Sequence, residues 1–272
     1  MSFRFRRSLN VEQVREGAAV AAVVDLEGVQ CWYDEYGAGE PLVLLHPGGV
    51  DARALDPFPV RALTNSFRVL TPERRGHGHS PDVDRTYAFE DVADDMARFI
   101  EAIVGRPARV VGVSDGAMVA FLLAQRRPDL VERVAAIAGP SHWQGWVDEA
   151  IDPTNTPPDF MAQMYAEVSP DGPDHYAVVA EKLAAMHLVS PALTPEDLAR
   201  ISARTLFMVG DDDEVTLEHA IATYRAIPNA ELAVVPGTSH GLLVEKPDLV
   251  NAMLLDFLTQ EPVATLAPIR RS

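Results

Sequence analysis

Two periods of apolar residues alternate along this chain. Short runs rich in β-branched, aromatic or other apolar residues fall at 21–26, 29–35, 41–46, 67–72, 108–113, 132–138, 205–210 and 230–235, with turn-forming or charged residues between them, so each is predicted to be a strand. Apolar residues recur every three or four positions over 87–104, 116–126, 216–227 and 247–259, which predicts helices between the later strands. That alternation is the pattern of a parallel sheet covered on both faces. The first two runs leave room only for a tight connection, so an antiparallel hairpin is predicted at Glu27-Gly28. The expected fold class is therefore α/β, an eight-stranded and mostly parallel sheet flanked by helices.

Residues 139–200 interrupt the alternation. Pro153, Pro157, Pro158, Pro170 and Pro173 punctuate short helical patterns around 159–168 and 174–189, which reads as a small helical cap inserted after the sixth strand. Open α/β sheets bind ligands beyond the carboxyl ends of their strands, so a cap there would roof a site. Trp143, Trp146, Phe160, Met161, Met164 and Met186 are its candidate lining, each weighed evenly against ordinary helix packing. The organisation expected is an arm at 1–18, a core at 19–138 and 201–260, the cap at 139–200 and a tail at 261–272.

The junction after the fifth strand carries the strongest chemical signal. Gly112-Val-Ser114-Asp-Gly116 joins a β-branched strand to an apolar helix through one serine. A turn that tight would make side chains two residues either side of the serine collide, and glycine removes them. Its hydroxyl is then lifted clear of the sheet, next to the N–H of Asp115.

A serine needs a general base and a group that orients it. His240 is the candidate base, in Val235-Pro-Gly-Thr-Ser-His240-Gly just after the last predicted strand. Of the adjacent acids Asp211, Asp212, Asp213 and Glu214 after the penultimate strand, Asp213 is the candidate orienting acid, the others reading as a solvated turn. The oxyanion hole is expected to take one N–H from Asp115 and one from His46-Pro47-Gly48-Gly49. Pro47 has no N–H, so Gly48 is the first candidate and Gly49 the fallback, with Gly49 also a pocket candidate.

With Ser114, Asp213 and His240 in that chain order, the sequence resembles the α/β-hydrolase superfamily from Ala21 to Leu258. Thr71-Pro-Glu-Arg-Arg-Gly-His-Gly-His-Ser80 is similar to a structural loop of that family, with Glu73 where an aspartate is usual. Leu193–Ile201 and Pro236–Pro247 resemble the small-cap esterase, lactonase and C–C hydrolase branch, and the Ser-Asp-Gly elbow resembles valacyclovir-hydrolase-like members. His46-Pro47 departs from the family's usual His-Gly, and a serine nucleophile sets the chain apart from the epoxide hydrolases and haloalkane dehalogenases of that fold. The resemblance implies a cofactor-independent serine hydrolase cleaving a carboxylic ester or lactone. A C–C bond hydrolase on the same three residues is the alternative, and a non-catalytic ligand-binding protein a more distant one.

Composition narrows the partners. With 272 residues, 47% of them hydrophobic, the chain can bury one large core. A formal charge of −17 argues against nucleic acid and anionic membranes, and no apolar run spans a bilayer. The expected partner is a small molecule, neutral or cationic, the cation depending on whether Asp115 faces the pocket rather than capping its helix in solvent. A cytoplasmic location is expected, since the N-terminus lacks a secretory core and the single cysteine, Cys31, reads as a core residue. No metal is expected, because His77 and His79 lack further ligands. Oligomeric state is not readable.

Overall fold

The computed structural model describes residues 8–9, 20–152 and 154–268. The strands are β1 (Ser8–Leu9), β2 (Val20–Asp25), β3 (Gln30–Tyr36), β4 (Glu40–Leu45), β5 (Phe67–Pro72), β6 (Ala108–Val113), β7 (Val131–Ile137), β8 (Arg204–Asp212) and β9 (Ala230–Ser239). They form one sheet in the order β1-β2-β3-β5-β4-β6-β7-β8-β9. Pairs from β5 through β4 to β9 are parallel, and β1, β2 and β3 extend the sheet antiparallel. All eight expected strands are present. The additional one, β1, has two residues and therefore no period to read; the rest of the expected arm lies outside the described residues.

The β2–β3 hairpin closes at the expected place. Leu26 N donates to Val29 O at 2.8 Å, and the two residues between them, Glu27 and Gly28, have φ of 58° and 97°. Two positive φ values give the turn the hand that matches the twist of the strands.

Helices α1 (Arg61–Leu63), α2 (Phe89–Phe99), α3 (Asp115–Arg126), α4 (Asp159–Val168), α5 (Tyr176–His187), α6 (Pro195–Leu198), α7 (Leu217–Ala226), α8 (Leu242–Glu245) and α9 (Pro247–Thr259) connect the strands. The pleat divides the interior into two cores. Val110, Val134 and Phe207 pack on one face with Phe99 and Phe121 of α2 and α3, while their neighbours Val111, Ala135 and Met208 pack on the other with Val250, Leu254 and Phe257 of α9. Every residue of α3 from Asp115 to Ala124 is buried, which accounts for the unbroken apolar run from Ala117 to Ala124.

Most boundaries lie within one or two residues of the sequence expectation, and the ends of α2, β8 and β9 depart from it for identifiable reasons. α2 ends at Phe99, and the chain continues in a wider turn to Val104 before Gly105 at φ 71° ends it. β8 and β9 run on to Asp212 and Ser239, because Asp212 pairs with Ser239 beyond a register shift and Asp211 Oδ1 accepts from Thr238 N at 3.0 Å. Between β7 and β8 the chain leaves the sheet to build α4, α5 and α6. Asp82 fastens that segment to the loop after β5, accepting from Lys182 Nζ at 2.7 Å and contacting His175 Nε2 at 2.8 Å.

Candidate active site

Ser114 stands between β6 and α3 with φ 54° and ψ −118°, a strained conformation for a residue with a side chain. The flanking glycines are required by contact. A Cβ on Gly112 would collide with the Gly116 carbonyl, and one on Gly116 with the Leu45 carbonyl of β4. Ser114 N donates to Ile137 O at 2.8 Å, so the neighbouring strand holds the turn in place.

The carboxyl ends of the sheet's last two strands converge on this serine. Ser114 Oγ lies 3.0 Å from His240 Nε2, and His240 Nδ1 lies 2.9 Å from Asp213 Oδ1. Gly210 N donates to Asp213 Oδ2 at 2.9 Å and Val215 N to Oδ1 at 3.2 Å. The Asp213 side chain is fully buried. Burial pulls the His240 pKa down, but the hydrogen bond and charge of Asp213 outweigh it and leave it raised. Burial likewise opposes ionisation of Asp213, and the His240 and backbone donors overcome it, leaving its pKa lowered.

On the other side of Ser114 is the loop after β4. Gly49 has φ 68°, and its N–H donates to His77 Nε2 at 3.3 Å. His77 Nδ1 donates to Arg75 O at 2.9 Å, and burial followed by the Arg74 charge pushes its pKa down to about 4, which keeps the ring neutral for both bonds. The Gly49 N–H is thereby committed. Gly48 and Asp115 N–H groups have no partner among the described residues and so are open to an incoming acceptor, whereas the Gly49 N–H is engaged. Arg74 Nη2 donates to Pro47 O at 2.7 Å, so the 71–80 loop buttresses the glycine loop from behind. Within it Glu73 accepts from His79 N at 2.6 Å, and His79 Nδ1 lies 3.0 Å from the same oxygen. His77 and His79 are thus engaged in shaping loops. Cys31 is buried, as expected of a core residue.

These groups open into a cavity of about 530 Å³, within the range of small-molecule sites. Trp146, Met161, Gly49 and the Ser114, Asp115 and His240 side of the sheet line it, with Ile151 and Leu183 adding apolar wall. Four expected lining residues, Trp143, Phe160, Met164 and Met186, are elsewhere. Met186 is buried in the core with 3% exposure, on the α5 stripe that also holds Val179 and Leu183. Trp143 turns away in a short helical turn and stacks on His142. Met164 lies on α4 one turn past Met161, outside the cavity wall, and its carbonyl accepts from Arg53. Phe160 is 51% exposed. Trp146 sets its ring edgewise against His240, centroids 5.7 Å apart, and its indole N–H has no partner among the described residues.

Asp115 faces the cavity and is 2% exposed, so it is not a solvated capping acid. Its Oδ1 lies 2.7 Å from His187 Nε2. Burial opposes its ionisation, yet the charges of His187 and Arg74 hold its carboxyl well below the usual range. Sequence reasoning missed His187. A signal existed: Ala180, Ala184 and His187 repeat at helical spacing, and all three line the cavity.

The chain is similar to known proteins over most of its length. It is 26% identical over 262 residues to human serine hydrolase BPHL, covering 89% of this chain and 87% of that protein. It is 25% identical over 265 residues to a non-heme haloperoxidase of Rhodococcus erythropolis, covering 85% and 97%. The enol-lactonase of Burkholderia xenovorans LB400 has the same fold, with a TM-score of 0.70, 23% identity and coverage of 88% of this chain and all of that one (100%). The model of an α/β hydrolase family matches residues 42–253, and the chain belongs to the α/β hydrolase family.

Proposed function

We propose that this protein is a serine hydrolase that cleaves a carboxylic ester or lactone. The observation that carries the reading is the continuous series Ser114 Oγ, His240, Asp213, at 3.0 and 2.9 Å, open to a cavity large enough for a small ester.

In this reading Ser114 Oγ attacks the substrate carbonyl as His240 Nε2 takes its proton, while Asp213 holds the imidazole with Nδ1–H toward the carboxylate. The carbonyl oxygen gathers negative charge and receives hydrogen bonds from Gly48 and Asp115 N–H groups, each worth about 3 kcal/mol in comparable sites. Collapse expels the alcohol, which takes the proton from His240 and leaves an acyl group on Ser114. Water, deprotonated by the same histidine, releases the acid. For a lactone the alcohol stays attached to the product. Each step uses side chains and backbone of this chain alone. The segment at 139–200 serves as the cap, and its apolar wall favours an apolar acyl or alcohol group.

The test is covalent labelling together with turnover. A fluorophosphonate is expected to add to Ser114 in the native protein and not in Ser114→Ala, and a panel of nitrophenyl esters and lactones is expected to be hydrolysed. An unlabelled native protein refutes the serine mechanism. Labelling with turnover of a vinylogous diketone, and none of esters or lactones, moves the activity to C–C cleavage.

A further inference from the structure

Two histidines line the cavity, and their partners put them in different charge states. His240 faces a carboxylate at Nδ1 and a hydroxyl at Nε2, and a hydroxyl can donate, so a neutral ring satisfies both. His187 has no such option. Its Nδ1 is 2.8 Å from the Leu183 carbonyl one turn back on α5, and its Nε2 is 2.7 Å from Asp115 Oδ1. A carbonyl and a carboxylate only accept, so both ring nitrogens carry protons and the ring is an imidazolium. The groups packed around it are Asp115 of α3, the Phe89 ring of α2 at 5.5 Å, and the Trp146 ring at 6.4 Å. The buried Arg74 guanidinium acts on both members of the pair from further off. Burial works against the charge on His187, and Asp115 more than compensates, raising its pKa.

The position of Asp115 makes that pairing consequential. Its N–H is one of the two proposed oxyanion donors, and its carboxylate packs so closely on Gly48, which supplies the other, that any Cβ there would strike it. The second oxygen, Oδ2, is buried and has no hydrogen-bond partner among the described residues. An uncompensated anion here would oppose the charge that develops on the substrate oxygen and would draw in an ammonium group.

We propose that His187 is a positioning residue that cancels the Asp115 charge beside the oxyanion donors, and so restricts the site to substrates whose acyl group carries no cation. The inference rests on the serine-hydrolase reading and deepens it to a substrate class. Benzyl 2-methylbutyrate and benzyl 2-aminobutyrate differ by a methyl against an ammonium. Their kcat/KM ratio is read at about pH 6.5, where an α-amino group is protonated. Protonation of His240 affects both substrates and cancels in the ratio.

The wild-type enzyme is expected to favour the uncharged ester. His187→Gln is expected to raise the amino-to-methyl ratio about tenfold or more, because it leaves Asp115 charged and exposed to the substrate. His187→Lys keeps a cation and is expected to hold the ratio within about threefold of wild type, as is the double variant Asp115→Asn/His187→Gln. A wild-type preference for the amino ester overturns the proposal. So does a His187→Gln enzyme that still labels at Ser114 and keeps the wild-type ratio within about twofold. Absence of labelling in the wild type is a failure of the hydrolase reading instead. Should His187→Gln not fold, nitrogen-15 spectra of histidine-labelled wild type decide: two protonated ring nitrogens on His187 at neutral pH support the imidazolium, and a single neutral tautomer overturns it.

Discussion

Asp213→Asn removes one charge and almost no volume, and the hydrogen bonds around the carboxylate dictate its effect. Three N–H groups point at the two buried oxygens: His240 Nδ1 at 2.9 Å and Val215 N at 3.2 Å on Oδ1, and Gly210 N at 2.9 Å on Oδ2. An asparagine offers one acceptor oxygen and one amino group. If the oxygen replaces Oδ1, the amino group confronts the Gly210 N–H and leaves a buried donor unpaired, costing about 1–3 kcal/mol. If the oxygen replaces Oδ2, the longer Val215 bond is lost, but the amino group gains a new bond by donating to His240 Nδ1. The second arrangement sacrifices less, so it dominates. It places the imidazole proton on Nε2, toward Ser114, where the ring cannot accept the serine proton. The expected loss in kcat is about 10³ to 10⁴-fold with KM little changed. Stability is expected to fall by about 1–3 kcal/mol, at roughly 2–4 °C of melting temperature per kcal/mol. Steady-state kinetics and a thermal melt on the same preparation measure both. Asp211→Asn and Asp212→Asn, at exposed positions, are expected to stay within about twofold of wild type. Glu214 is half exposed with Oε2 3.8 Å from His240 Nδ1, too far to hold the tautomer, so Glu214→Gln is expected to stay within about threefold. An Asp213→Asn enzyme with more than about a tenth of wild-type kcat, or a Glu214→Gln loss as large, refutes the assignment of the acid.

The same geometry carries three further expected outcomes. The His240 pKa is raised, so the neutral base is lost as pH falls through a value above the ordinary histidine pKa of about 6.5, and log kcat/KM should decline with unit slope below it. Asp213→Asn should shift that limb to lower pH, and a wild-type profile flat to about pH 5 contradicts the base assignment. Gly116→Ala drives a methyl into the Leu45 carbonyl, backbone against backbone, and should cost about 3 kcal/mol or more; a wild-type melting temperature would show that the elbow is looser than described. Ala184→Trp fills the cavity from α5 and should lower kcat/KM for long-chain acyl esters more than about tenfold while acetyl esters stay within about threefold; equal losses on both would mean that the cavity does not house the acyl chain.

Short-range physics decides what is legible in the sequence. The bounds of α4 and α9 coincide with the periodic patterns at 159–168 and 247–259, because burial of one face imposes the period. The elbow is readable from Gly112 and Gly116 since the collisions they avoid lie within four residues of chain or against the adjacent strand. The ends of β8 and β9 are not. Asp211-Asp212 and Pro236-Gly-Thr-Ser are turn-forming residues by composition, yet backbone pairing and the Asp211–Thr238 bond carry both strands onward. The register of one strand against another leaves no trace in the period of either.

The cavity wall shows a different limit. Large apolar side chains are the natural candidates for such a wall, but Met164, Met186 and Trp143 fill or cover structure instead of enclosing space. On α5 two stripes run side by side: Val179, Leu183 and Met186 pack into the core, while Ala180, Ala184 and His187, each one position further on, face the cavity with the shared Leu183 between them. One residue is a rotation of about 100° on a helix, so the stripes are adjacent and nearly equivalent in pattern. What separates them is bulk. The cavity exists where alanines leave room, and the functional group on that stripe is His187, which meets the Asp115 carboxylate buried next to Ser114. Asp115 alone, next to the serine in sequence, reads as a charge able to select a cation. With the partner that the fold brings from 72 residues away, it becomes half of a neutral pair.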